Sequence, residues 1–305
     1  MLLWSDVTKK NTYYKLHLGM LMRSLPFLLL ASFVLVLMAG EADAEKEPVA
    51  HWSFDEGEGN TTTDNSGNGY GGTLENGPQW VEGIDGGGLK FGGKDDYVDV
   101  ENAQIGSDNF TISFWYKKEN YDKINEGSYF EAVITNQDGD DPVNGFIIRI
   151  RDYFDNLPDI QCLVYISGGN YQISADVEDY VNVWTHVSCT YSSTTGMFLY
   201  INGEEVANNT NTAYTDYSYK LYLGGIPEGW GDGHTHSLEG ELDDLIVWNR
   251  VLSSEEILEL YTDGGYEKST PDPAGRETEG EILLSSVSLI SSIAAIGIIA
   301  LRRRY

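Results

Sequence analysis

The stretch GELDDLIVWNR at residues 240–250 sets three carboxylates, Glu241, Asp243 and Asp244, at the mouth of an apolar run that ends on a tryptophan. Carboxylates so placed can serve as an acid–base pair in hydrolysis, hold a hard cation, or form the polar end of a strand. Strand side chains alternate between faces, so Asp243 goes with Leu245 and Val247, and Asp244 with Ile246 and Trp248. One aspartate must then point toward the core, where a carboxylate needs hydrogen bonds or a cation. A second group lies in GIPEGWGDGHTH at residues 225–236, where Trp230 stands among Glu228, Asp232, His234 and His236. An aromatic plate beside hydrogen-bonding groups suits a sugar ring, which has an apolar face and polar edges. His234 and His236 by themselves lack the third protein ligand that a zinc site needs. NQDGDD at residues 136–141 offers Asn136 and Asp138 as oxygen donors, or reads as a solvated turn. The chain contains no Gly-x-Ser-x-Gly elbow, zinc-protease helix or phosphate loop, and it is expected not to be an enzyme.

The elements that must position these groups are strands. FTISFWY (110–116), GFIIRI (145–150), IQCLVYI (160–166) and MFLYI (197–201) are short, aromatic and β-branched, and turn residues bound them. Asn202-Gly203 is a two-residue hairpin signal. Only SSEEILELY (253–261) has a helical pattern, with Ser253 as cap, Glu256 three residues on, and Ile257, Leu260 and Tyr261 on one face. Strand after strand without intervening helices favours two packed antiparallel sheets. Residues 45–266 form this domain.

The flanks point to export. Residues 25–39 are 15 uncharged, mostly apolar residues between Arg23 and the small-x-small site Ala42-Asp43-Ala44, so residues 1–44 are an N-terminal extension and signal peptide. Residues 267–281 are an acidic, Pro-containing linker. Residues 282–301 are 20 residues without a charge, long enough for a transmembrane helix, and residues 302–305 form a basic tail on its cytoplasmic side. Between signal and span, 12 basic residues face 45 acidic ones. Such a surface excludes nucleic acid as a partner; it reads as a solvated, salt-tolerant exterior, or as one that attracts divalent cations such as calcium. Cys162 and Cys189 are the only cysteines, each in a predicted strand. In an exported domain such a pair closes a disulfide; the alternative is two buried free thiols.

The order of landmarks then points to a family. AHWSFDEGEG (50–59), DNSGN (64–68), LKFGG (89–93), FTISFW (110–115), WTHV (184–187), LYINGE (199–204), LYLGG (221–225) and GELDDLIVWNR followed by LSSEEI (252–257) resemble, together, the laminin-G-like, concanavalin A-like jelly roll. The resemblance covers residues 48–266, and the second half, through TYSSTTG (190–196), is similar to pentraxins. It implies an all-β sandwich of two antiparallel sheets, frequent calcium, and binding of an extracellular glycan or surface protein. In that family the 240–250 strand runs beside the N-terminal one, which implies a calcium held by Asp55, Asp64 and Asp243. The alternative leaves Asp55 and Asp64 capping turns and Asp243 accepting backbone N–H bonds. The pentraxin likeness gives the loop of Asn136 and Asp138 a ligand or calcium role, although the Glu-Gln-Asp run of the partner loop is missing from 225–236. It also puts Phe114 where the usual partner of Cys189 stands, leaving Cys162 as the implied partner. Laminarinase-type hydrolases of this fold carry a Glu-x-Asp-x-x-Glu strand; here Ile246 replaces the third acid, so the retaining pair, about 5–5.5 Å apart in such enzymes, is incomplete. The reading is a cell-surface binding module, exported and membrane-anchored through its C-terminal helix; the alternatives are a carbohydrate-active enzyme whose catalytic residues the motifs do not show, and a structural surface-layer component.

Overall fold

A computed structural model of the protein describes residues 47–100, 103, 108–121, 130–136, 145–151, 158–166, 169–211, 220–227 and 236–263. In chain order the strands are β1 (Ala50–Trp52), β2 (Thr61–Thr62), β3 (Gly72–Glu75), β4 (Gln79–Glu82), β5 (Gly87–Gly92), β6 (Tyr97–Val100), β7 (Asn109–Lys117) and β8 (Glu131–Thr135). They continue as β9 (Gly145–Arg151), β10 (Asp159–Ile166), β11 (Gly169–Asp176), β12 (Thr185–Ser192), β13 (Gly196–Ile201), β14 (Glu204–Asn209), β15 (Leu221–Leu223) and β16 (Glu239–Trp248). One helix, α1 (Ser254–Thr262), follows. The first sheet has the order β14-β13-β12-β7-β16-β5-β4, with β1 also on β16; the second is β11-β10-β9-β8-β15-β6-β3-β2. Neighbouring strands are antiparallel, so the expected all-β sandwich with one short helix is what forms. The signal segment 1–44 and the apolar segment 282–301 lie outside the described residues. Among the described residues no helix is long and apolar enough to cross a membrane.

Alternation builds the core. On β7, Phe110, Ile112, Phe114 and Tyr116 enter the space between the sheets, where they join Trp52, Phe54, Phe91 and Phe146. Thr111, Ser113 and Trp115 face outward on the first sheet. There α1 covers part of that outer face, packing Ile257 and Leu260 on Tyr200, Ile246 and Trp248. Its start is the capping box read from the sequence: Ser253 Oγ accepts from Glu256 N, and the Glu256 side chain accepts from Ser253 N, a device worth about 1 kcal/mol. At the β13–β14 hairpin, Asn202 and Gly203 both take positive φ, 51° and 80°, as a two-residue turn with the right twist requires.

Strict alternation fails at one place. Leu242, Leu245 and Val247 of β16 are core residues, whereas Ile246 and Trp248 lie under α1. Two inward residues three apart require one extra residue between them, and the register of β16 on β7 does shift between Asp243 and Ile246. Asp244 carries the bulge at φ 44°, a left-handed conformation that aspartate tolerates better than most residues. Asp243 consequently shares the outer face with its cross-strand partner Trp115, instead of the face of Leu245 and Val247 expected above.

Two buried features link the sheets. Lys118, just past β7, donates 3.0 and 2.8 Å hydrogen bonds to both oxygens of Glu131 on β8, and both side chains are buried. Cys162 on β10 and Cys189 on β12 come together across the core in hydrogen-bond contact, but as free thiols. The expected disulfide is thus not formed in the structure, although the pair implied by the resemblance is the pair brought together. Burial pushes the Cys162 thiol well above its ordinary range, so it is held protonated and unreactive. Ellman's reagent at pH 8 should leave both cysteines unlabelled in the folded protein and label two per chain in guanidinium without reductant. Label entering only after reduction would show a disulfide instead.

Candidate functional site

Among the described residues the carboxylates singled out from the sequence do not assemble a catalytic pair or a metal shell. Asp64 accepts from His51 N and Ser66 N on Oδ1 and from Tyr70 N on Oδ2, at 2.9–3.0 Å, which ties the first strand to the following turn. Asp55 Oδ1 accepts from Gly87 N at 2.7 Å. Asp243 takes Ile84 N at 2.7 Å and Asp85 N at 3.4 Å on Oδ2, and Asp244 N at 2.7 Å on Oδ1. No group of three or more His, Cys, Asp or Glu side chains able to hold a metal occurs among the described residues. The described structure does not gather Asp55, Asp64 and Asp243 into one metal-holding group; each accepts from backbone donors, as in the hydrogen-bonded alternative. Asp244 pairs with His51 Nε2 at 3.0 Å, and Glu241 pairs with Lys117 and Lys90.

A serine–histidine pair is present but is not poised for catalysis. Ser113 Oγ lies 2.8 Å from His186 Nε2, and both residues are buried on the outer face of the first sheet beside Trp115 and Tyr261. Burial brings His186 down to about 3. An imidazole that weak is a poor general base at neutral pH.

The outer face of the second sheet offers a different site. On β9, Ile148 and Ile150 enter the core, so Ile147, Arg149 and Arg151 face outward; on β10 the same rule turns out Asp159, Gln161, Leu163 and Tyr165. Register sets Arg149 opposite Gln161 and Gln161 opposite Ser174 of β11, a row running across three strands spaced about 4.8 Å apart. A parallel row two residues along ends on Gln172, and a third joins Tyr165 to Asn170. Asn170, Gln172 and Ser174 are exposed, whereas Arg149 and Tyr165 are half-buried. The face thus combines a buried apolar patch of Ile147, Leu163 and Phe130 with the polar groups of Arg149, Tyr165, Asn170, Gln172 and Ser174 beside it.

Arg149 is the best-held member of the array. Its guanidinium lies 4.7 Å from the centre of the Phe130 ring. The His236 ring stacks on Phe130 at 4.0 Å and 3°, which occupies one face and leaves the other to the guanidinium. Arg149 Nε donates to Gln161 Oε1 at 2.9 Å; Gln161 Nε2 donates to Asp159 Oδ2 at 3.0 Å; and Arg151 holds Asp159 by two bonds of 3.0 and 3.2 Å. Of the eight described lysines and arginines, six pair with a carboxylate. The exceptions among the described residues are exposed Lys94 and half-buried Arg149. Burial, with the neighbouring Arg151, pulls the Arg149 pKa down against the opposing effects of Tyr165 and Asp159.

Of the ligand residues expected from the sequence, Asp138, Glu228, Trp230, Asp232 and His234 lie outside the described residues. Asn136 and His236 are described, and the structure does not bring them together. Asn136 Oδ1 accepts from Phe146 N at 2.7 Å at the end of β8, whereas His236 O accepts from Ala132 N near its start. Four residues of strand separate those points, about 13 Å. Both are buried, and their visible roles are to close β8 and to support Phe130.

This chain belongs to the family described as the concanavalin A-like lectin/glucanases superfamily, Laminin_G_3, whose model matches residues 91–258. It is similar to the mouse (Mus musculus) pentraxin-related protein PTX3, with 32% identity over 109 residues, 32% of this chain and 28% of that protein. The match therefore spans less than a third of that relative's length. Among solved structures it resembles the binding domain of Paraclostridial Mosquitocidal Protein 1, with TM-score 0.57, 19% identity, and coverage of 72% of this chain and 52% of the other. It also resembles domain 4 of AbnA, an extracellular arabinanase of Geobacillus stearothermophilus solved with arabinotriose, with TM-score 0.53, 20% identity, and coverage of 70% and 98%. At these identities the structural likeness establishes the fold.

Proposed function

We propose that the protein is a non-enzymatic glycan-binding module displayed outside the cell, with the outer face of the second sheet as its ligand surface. The single observation that carries this reading is the set of half-buried Arg149 and Tyr165 and exposed Asn170, Gln172 and Ser174 on one face of a sheet, with buried Gln161 holding Arg149 in place. Sugar hydroxyls need closely spaced donors and acceptors, and the half-buried phenol supplies an apolar edge. The solved domain with arabinotriose and the binding domain of the mosquitocidal protein support a binding role for the fold. The apolar segments 25–39 and 282–301 support export and anchoring, with residues 45–281 outside.

The test is a glycan array probed with the full-length chain, with calcium and with chelator. Saturable binding that Tyr165→Ala and Gln172→Ala weaken about tenfold is expected, without release of reducing ends from any bound polysaccharide. Turnover would replace the binding reading with a glycosidase, and an absence of saturable binding would leave a structural surface component.

A further inference from the structure

We infer that the ligand presents a carboxylate to Arg149, so that the site takes an acidic, uronate-bearing glycan. This rests on the glycan-binding reading above and narrows it. A guanidinium offers five N–H donors in a planar fork suited to a carboxylate. Here Nε is committed to Gln161, and the plane is held against Phe130, itself backed by His236. Among the described residues no carboxylate bonds to the terminal nitrogens, and Asp159 acts on the guanidinium only at longer range. In a protein of net charge −29 that omission stands out, because acidic side chains are abundant and the neighbouring Arg151 has recruited Asp159. A half-buried cation left unpaired costs stability, and an incoming anion offsets that cost.

The surroundings restrict what kind of anion fits. Long-range repulsion from the acidic surface disfavours a dense polyanion, whereas a single carboxylate at contact distance gains the short-range bidentate bond. The exposed Asn170, Gln172 and Ser174 on β11, two strands from Arg149, are neutral hydrogen-bonding groups that match hydroxyls of the sugar carrying such a carboxylate or of its neighbour. An acidic peptide would find less here, since this face presents side chains and the unpaired backbone ladder of β11 lies along its outer edge, away from Arg149 on β9.

The experiment uses the full-length chain on a panel of oligosaccharides containing one glucuronic or galacturonic acid residue, each printed beside its methyl ester. The acids should bind at least tenfold more tightly than their esters. Arg149→Gln should erase that difference, Arg149→Lys should restore only part of it, and Lys94→Gln should keep it whole. Equal binding of acid and ester by the wild-type chain overturns the carboxylate inference and leaves the glycan-binding reading intact. Loss of the difference in Lys94→Gln also overturns it, by showing general charge attraction. Binding to acidic peptides but to no saccharide, or no binding at all, overturns both.

Discussion

Replacing Lys118 by methionine will lower the unfolding free energy by about 3–5 kcal/mol, the cost of leaving one member of a buried ion pair unpaired. The Lys118 ammonium has Glu131 on one side and donates at 2.8 Å to Glu239 O, while Glu239 N donates at 3.2 Å to the same Glu131 carboxylate. Removing the ammonium leaves a carboxylate sealed between two sheets with one weak backbone donor. Burial already raises the Glu131 pKa against the lowering effect of Lys118, so the lone acid has a strong reason to take up a proton or to let water in. The double substitution Lys118→Met with Glu131→Leu should recover most of the loss, because neither charge then needs solvating. Urea denaturation of the three proteins at pH 7 checks this. A single substitution costing under 1 kcal/mol would mean that the pair is hydrated in solution.

The second large effect is a loss of stability as pH rises through about 8, centred on Asp243. Burial first, then the adjacent Asp244, raise its pKa to about 8, and the three backbone N–H donors only partly oppose them. A carboxyl that binds its proton more tightly folded than unfolded stabilises the fold fully below its unfolded pKa, near 4, and loses that contribution as pH passes its folded pKa. The span between the two values corresponds to stability on the order of several kcal/mol. Denaturation midpoints should therefore fall between pH 6 and pH 9. Asp243→Asn should be weaker at pH 6 by about 1–3 kcal/mol, since its amide NH2 faces donors, and should show a much flatter profile above pH 6. An equally steep profile in the variant would assign the titration to another group.

Much of the fold was legible because its signals are local. The cap at Ser253 needs only Glu256, and the turn at Asn202-Gly203 needs only two residues that accept positive φ. The core strands were legible because Phe110, Ile112 and Phe114 alternate with residues of the other face. Legibility ended where one residue breaks the count. The bulge at Asp244 moves Asp243 to the outer face without any change of composition, and a period-two reading carries its error through the bulge. The site was less legible still. Arg149 is conspicuous for what it does not pair with, which no linear reading can establish; its only trace is the IRIR alternation at residues 148–151, which sets two arginines on one face in an acid-rich chain. His236 was noticed for its imidazole, but its visible part in the structure is as a plate behind Phe130.

The position of α1 has a consequence for handling the protein. The helix covers the outer side of the first sheet and ends at Thr262, and the opening strand β1 also belongs to that sheet, paired to β16. The row of Arg149, Gln161 and Ser174 lies on the opposite side, beyond a sandwich whose sheets pack about 10 Å apart. A surface coupling made at residue 263 therefore grips the domain from behind. On a biosensor chip, a protein coupled at residue 263 should leave the recognition row turned toward the flowing solution, whereas amine coupling through Lys220, on the second sheet's side, would crowd it.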